Sequence, residues 1–273
     1  MKKVLRALAA CALIGTSTGA YATSSTTFWT PATTYVQPYL VPHITYDTYV
    51  SELSAFQNDY GLTIGILPFE KLQAEVGIDS FMPGLVSANL YLNGKLGIPE
   101  GAFGDWAPGI SAGIYGLGFK TDVSDFDILH AELGKTFPIV GNLVVGGYYG
   151  LNDKLMLSST GEKQQGGFMA AWTSPDIVLN LTGLNKINFM ADVQTGKNAF
   201  GAVGGGIGLY FTPSIDILTG PVFFFDGKAT PQSAPPSARR DFLWTVQLDV
   251  DFDLRAPKPA APAAPAAPEP AKS

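Results

Sequence analysis

The sequence predicts an all-β fold, an antiparallel up-and-down transmembrane β-barrel of about twelve strands, on three observations. Apolar and polar residues alternate with period two over stretches of about ten residues, each closed by Pro, Gly, Asn or Asp. Beyond the first 22 residues no apolar run reaches the ~18 residues that a membrane helix needs. Charged residues make up 15% of the chain, against about 25% in soluble proteins, so something other than water faces much of the surface.

The chain opens with Lys2, Lys3 and Arg6, then an uncharged apolar stretch from Ala7 to Gly15 and small residues after it, the pattern of a secretory signal peptide. Ala20-Tyr21-Ala22 fits a small-x-small cleavage site, which predicts a signal over 1–22 with cleavage between Ala22 and Thr23. The run Leu8-Ala9-Ala10-Cys11 also has the form of a lipobox, but cleavage there leaves only four apolar residues after Arg6. Cleavage at Ala22 removes Cys11, the one cysteine, so no disulfide is expected. It also removes three of the 17 basic residues and leaves 23 acidic ones, a net charge of −9 that argues against nucleic acid as a partner. Residues 23–34 are expected to form an N-terminal periplasmic segment.

The barrel is expected over 35–254. Its last strand is the plainest. Phe242, Trp244, Val246, Leu248, Val250, Phe252 and Leu254 alternate with Asp241, Leu243, Thr245, Gln247, Asp249, Asp251 and Asp253, so one face is apolar throughout and the other polar except at Leu243. The pattern also runs through Leu72, Ala74, Val76 and Ile78, through Val86 to Ile98, and through Ile187, Phe189, Ala191 and Val193. Twelve segments result, at about 36–50, 59–68, 71–81, 86–98, 108–119, 126–137, 141–152, 164–174, 187–196, 200–212, 214–226 and 240–254. With both ends periplasmic, the inward connectors at 68–71, 138–141 and 212–214 are tight, while the outward ones at 153–163 and 227–239 are long and polar, as in membrane barrels. The inward connectors 99–107 and 175–186 break this rule, and either is long enough to hide a hairpin.

Aromatic residues gather near strand ends, at Phe81, Trp106, Phe119, Phe137, Trp172, Phe211, Phe242, Trp244 and Phe252, positions suited to the two girdles at the lipid headgroups. After Leu254 a Pro/Ala-rich run, 255–273, is expected to be a disordered periplasmic tail. A soluble β-sandwich would also alternate, but it does not need strands so long with so few charges outside.

On this pattern, residues 35–254 resemble the broad class of bacterial outer-membrane β-barrel proteins, with porin-like channels nearest in size. The resemblance implies an outer-membrane location, the lipid bilayer and the outer-membrane insertion machinery as partners, and passage of small cationic or neutral solutes. It leaves the tail to contact the cell wall or a periplasmic protein.

Three roles remain open on the residues alone. Glu75, Asp79, Glu132, Asp192, Asp216, Asp249, Asp251 and Asp253 fall on the polar face, with Lys95 the basic exception, and a lumen of carboxylates favours cations. A barrel of this size is also small enough to be filled by its own side chains, as a closed structural or anchoring barrel. An enzyme is not expected. Outer-membrane lipases carry a His-x-Ser pair, whereas the triplets here are His43-Ile44-Thr45 and His130-Ala131-Glu132, so only His130 beside Glu132 offers a general base. No cofactor or metal is expected: His43 and Asp47 stand about 13 Å apart along a strand, and Asp249, Asp251 and Asp253 are spaced at about 6.6 Å. The run Gly204-Gly205-Gly206-Ile207-Gly208 precedes no helix, so it implies a close-packed or kinked stretch of wall and no phosphate loop.

Overall fold

The structure, a computed structural model, describes residues 26–51, 57–82, 89–229 and 241–255. The signal peptide with its cleavage site, the beginning of the fourth predicted segment, most of the connector 227–239 and the tail beyond Arg255 lie outside the described residues.

Thirteen strands follow in chain order: β1 (Pro42–Val50), β2 (Gln57–Gly65), β3 (Gln73–Met82), β4 (Leu90–Ile98), β5 (Gly109–Gly118), β6 (Ile128–Phe137), β7 (Gly141–Gly150), β8 (Gly166–Thr173), β9 (Ile177–Leu181), β10 (Leu184–Gln194), β11 (Ala202–Thr212), β12 (Ile215–Phe224) and β13 (Phe242–Asp251). Every strand pairing is antiparallel, between chain neighbours except for β8 with β10, and β13 returns to β1 to close the ring. Strands β8 and β9 lie one after the other along β10, Thr173 opposite Met190 and Ile177 opposite Ile187. They are one wall strand interrupted at Ser174-Pro175-Asp176, where Pro175 has no N–H to give the ladder. The barrel is therefore closed and 12-stranded.

The connector 175–186 does hold a hairpin, turning at Thr182-Gly183. Because β9 only extends β8, it adds length to the wall without adding a strand. The wall strands otherwise run nine to eleven residues, the length that crosses a bilayer when tilted.

Strand parity sorts the side chains. Ile44, Leu62, Val76, Leu92, Leu96, Ile110, Leu133, Val145, Phe189, Val203 and Val246 face outward and are exposed. An apolar band of this extent on every strand is unfavourable in water and matches hydrocarbon. Among the described strand residues the outward charge is Lys135, at the rim, where it pairs with Glu100 at 2.9 Å. In β5 one extra residue intervenes where Leu92 faces Leu117 but Gly94 faces Ile114, and Gly116 takes φ +64° at this bulge.

The N-terminal segment is the main departure from the sequence reading. Its described part, 26–34, lies inside the barrel, and Val36 and Gln37 continue it within the lumen before Tyr39, exposed, and Leu40 reach the end of β2 at Gly65. Phe28, Ala32, Val36 and Val41 are all buried. Phe28 packs with Met190, Ala202, Leu218, Val222 and Leu243, while Ala32 packs with Ile128, Val144, Tyr148 and Met169 on the other side. Leu243, the apolar exception on the polar face of β13, thereby finds its partner.

Candidate functional site

The lumen is built by register. Asp47 of β1 stands directly opposite Asp59 of β2, Glu75 of β3 opposite Lys95 of β4, Ser111 of β5 opposite Glu132 of β6, and Asp216 of β12 opposite Asp249 of β13. His43 faces Asp251 across the β1–β13 seam. Side chains directly opposite have Cβ atoms about 5 Å apart, so these pairs interact whatever their sign.

The cations on these strands face carboxylates. Lys95 Nζ lies 3.3 Å from Glu75 Oε1, and His130 Nδ1 lies 2.6 Å from Glu132 Oε1. His43 contacts Asp251 through Nδ1 at 2.9 Å and Asp249 through Nε2 at 3.4 Å. Even so, Asp47, Asp59 and Asp249 each keep one carboxylate oxygen without a hydrogen-bond partner, and Asp216 keeps two.

The N-terminal segment is tied into this acidic wall. The backbone N–H groups of Phe28, Trp29 and Thr30 donate to Asp192 Oδ2 at 3.0, 2.8 and 2.8 Å, and the Thr30 hydroxyl donates to it at 3.1 Å. Successive N–H groups curling round one carboxylate form an anion nest. Across from Asp192, a Cβ at Gly204 would stand 2.9 Å from Phe28 Cδ1, and one at Gly206 2.8 Å from Phe28 Cε2. The glycine run of β11 is the notch that admits the Phe28 ring. Lower down, Gln37 donates its backbone N–H to Glu75 Oε2 at 2.5 Å and its side-chain amide to Asp251 Oδ1 at 2.9 Å.

Glu75, Asp79, Lys95, Glu132, Asp192, Asp216, Asp249 and Asp251 thus all stand on the lumen side. Asp253 does not: β13 ends at Asp251, and Asp253 sits beyond it at the rim, bound to the Arg255 guanidinium at 2.8 and 2.6 Å. That hydrogen-bonded ion pair holds its carboxyl below the usual aspartate range.

The aromatic candidates also divide. Phe211, Trp172, Trp244 and Phe252 lie on or just past the outward faces of their strands, and Trp172 donates to the Val140 carbonyl at 2.7 Å. Trp106 and Phe119 are exposed in connectors next to strand ends. Phe81 is a correction. It shares the parity of Glu75 and Asp79, so its ring enters the lumen and stacks on Tyr49 with centroids 6.5 Å apart.

That ring belongs to a circuit which the sequence did not announce. Trp29 touches Tyr49 (centroids 5.9 Å), Tyr49 touches Phe81, Phe81 touches Tyr91 (5.7 Å), Tyr91 touches Phe126 (6.3 Å) and Phe126 touches Phe200 (4.9 Å). The Trp29 indole N–H donates to the Phe200 carbonyl at 3.3 Å and closes it. The circuit surrounds the long-loop end of a cavity of about 280 Å³, whose deeper wall includes Asp47, Asp59, Asp79, Asp249, Glu75 and Lys95.

Ser111, Glu132 and His130 also meet, but in an order unsuited to nucleophilic catalysis. Glu132 accepts from the Ser111 hydroxyl at 2.6 Å and touches His130 with its other oxygen. The carboxylate stands between serine and imidazole, so the imidazole is not placed to take the hydroxyl proton.

No protein-family model matches the chain, and no curated protein sequence matches it. Solved structures similar to it include a NanC porin, 7% identical over 78% of this chain and 100% of that one, with a TM-score of 0.48. An outer-membrane channel from Pseudomonas putida F1 is 12% identical over 80% of this chain and 97% of that one, with a TM-score of 0.40. The N-terminal β-barrel domain of OprF from Pseudomonas aeruginosa is 11% identical over 79% of this chain and 100% of that domain, with a TM-score of 0.23.

Proposed function

We propose that this chain is a bacterial outer-membrane protein, a small-solute channel with a cation-preferring lumen that its own N-terminal segment holds shut. The observation that carries the reading is the Asp192 nest, which fixes Phe28, Trp29 and Thr30 across the long-loop end of an otherwise acidic bore. The apolar outward band supports the membrane setting, and the lumen carboxylates support preference for cations. The reading is non-enzymatic, with His130 and Glu132 as a buried pair that stiffens the wall.

Planar-bilayer conductance of the refolded chain tests this. The full-length protein is expected to be largely silent, and an Asp192→Ala variant to show discrete steps with a cation-selective reversal potential. A folded Asp192→Ala barrel that stays silent would replace the channel with a closed structural barrel, in which loops and tail carry the interactions.

A further inference from the structure

We propose that the luminal cavity is a binding site for an organic cation with an aryl or comparably flat apolar body and a primary ammonium group. The inference deepens the reading above and rests on its acidic lumen, but it concerns binding in the closed barrel and does not need conduction.

Three observations converge on one ligand chemistry. The first is the polar wall: Asp47 and Asp59 stand directly opposite each other in the β1–β2 ladder, an arrangement of like charges that destabilises a strand pair and that a proton or a cation between them relieves. The second is that Asp59, only 8% exposed, lines the cavity with its Oδ1 lacking any hydrogen-bond partner, and Asp47 Oδ1 lacks one as well. An ammonium group has three N–H donors and no acceptor, which is what two orphaned carboxylate oxygens can use.

The third is the aromatic circuit from Trp29 through Tyr49, Phe81, Tyr91 and Phe126 to Phe200. Rings around the cavity give an apolar body flat surfaces to stack on and give its charge the negative faces of π systems. An inorganic ion makes no use of such walls, and no group of three His, Asp or Glu among the described residues is arranged to hold a metal. Size narrows the class further. A space of about 280 Å³ is nearly twice the ~150 Å³ that accommodates benzene in an engineered cavity, enough for one ring and a short aminoalkyl chain.

Isothermal titration of the full-length barrel in non-ionic detergent, with 2-phenylethylammonium as probe, tests the site. Binding is expected, with 2-phenylethanol at least tenfold weaker and Asp47→Asn/Asp59→Asn reducing the affinity for the amine at least tenfold. Phe81→Leu should weaken the amine several-fold while leaving the carboxylates in place. Each variant is first checked for heat-modifiable migration of a folded barrel. Equal affinity for amine and alcohol would overturn the cation half of the proposal. Full affinity in Phe81→Leu together with displacement by magnesium alone would overturn the aromatic half and leave an inorganic-cation site. No binding by the folded wild type would overturn both. Silence of the folded Asp192→Ala barrel in the bilayer experiment, with binding intact in the wild type, would remove the channel and keep the site.

Discussion

Thr30 is held to Asp192 twice, through its backbone N–H at 2.8 Å and its hydroxyl at 3.1 Å, although 162 residues separate them in the chain. Removing the carboxylate strands three N–H groups, two of them buried, so Asp192→Ala is expected to destabilise the barrel by about 3–5 kcal/mol. Urea titration of the protein in micelles measures this, and limited proteolysis should show residues 26–34 released first.

Phe28 and the β11 notch form a complementary pair. Phe28→Ala is expected to cost about 3–5 kcal/mol through the cavity left among Met190, Leu218 and Leu243. Gly204→Ala pushes a methyl into the same ring and should cost about 1–3 kcal/mol. Because both changes act on one contact, the double variant should be less destabilised than the sum, which a thermodynamic cycle resolves.

Glu75 serves Lys95 and the N-terminal segment together, accepting from Gln37 N–H on one oxygen and facing Lys95 with the other. Lys95→Met is expected to lose about 3–5 kcal/mol by leaving the carboxylate without its cation. Adding Glu75→Gln should recover part of the loss while keeping an acceptor for Gln37, and equal stability of the single and double variants would contradict the pairing.

Acid should separate two outer loops. Burial alone would raise the Asp226 carboxyl, but hydrogen bonds from Ser159, Lys228 and Ala229 outweigh it and hold it below the ordinary aspartate value. A lowered folded-state value means the charge contributes fully above the ordinary range, and its contribution is lost as pH falls through the folded value. The contact between Ser159 N–H and Asp226, 2.9 Å, should therefore persist through the ordinary aspartate range, about pH 4, and fail only in stronger acid. A spin-label distance between positions 160 and 228 reports this, and Asp226→Asn should show the open distance at every pH.

The wall was legible because an apolar outer face and a polar lumen impose period two on every strand, and all twelve segments overlap wall strands. The segment 26–41 was not, since its burial comes from partners such as Asp192 and Glu75 far along the chain and leaves no period in Thr26-Thr27-Phe28-Trp29-Thr30. Phe81 shows two rules in conflict. Its place near a strand end suggested a girdle, while the parity running from Glu75 through Asp79 already pointed it inward, and parity prevailed because the backbone fixes it. Asp253 fails for the opposite reason, an alternation that outlasts the strand carrying it. The aromatic circuit draws on three strands, two connectors and the N-terminal segment, a combination that no local pattern encodes.

The seam between β13 and β1 sets the order in which the molecule can be made. Its lower end is stitched at Asp251, which accepts from Gln37 and touches His43, so the first residues of the domain await the last. Such sequence separation makes folding slow and places ring closure late. Seating of the N-terminal segment is thereby tied to closure of the ring, and the finished barrel is a hoop fastened around its own thread.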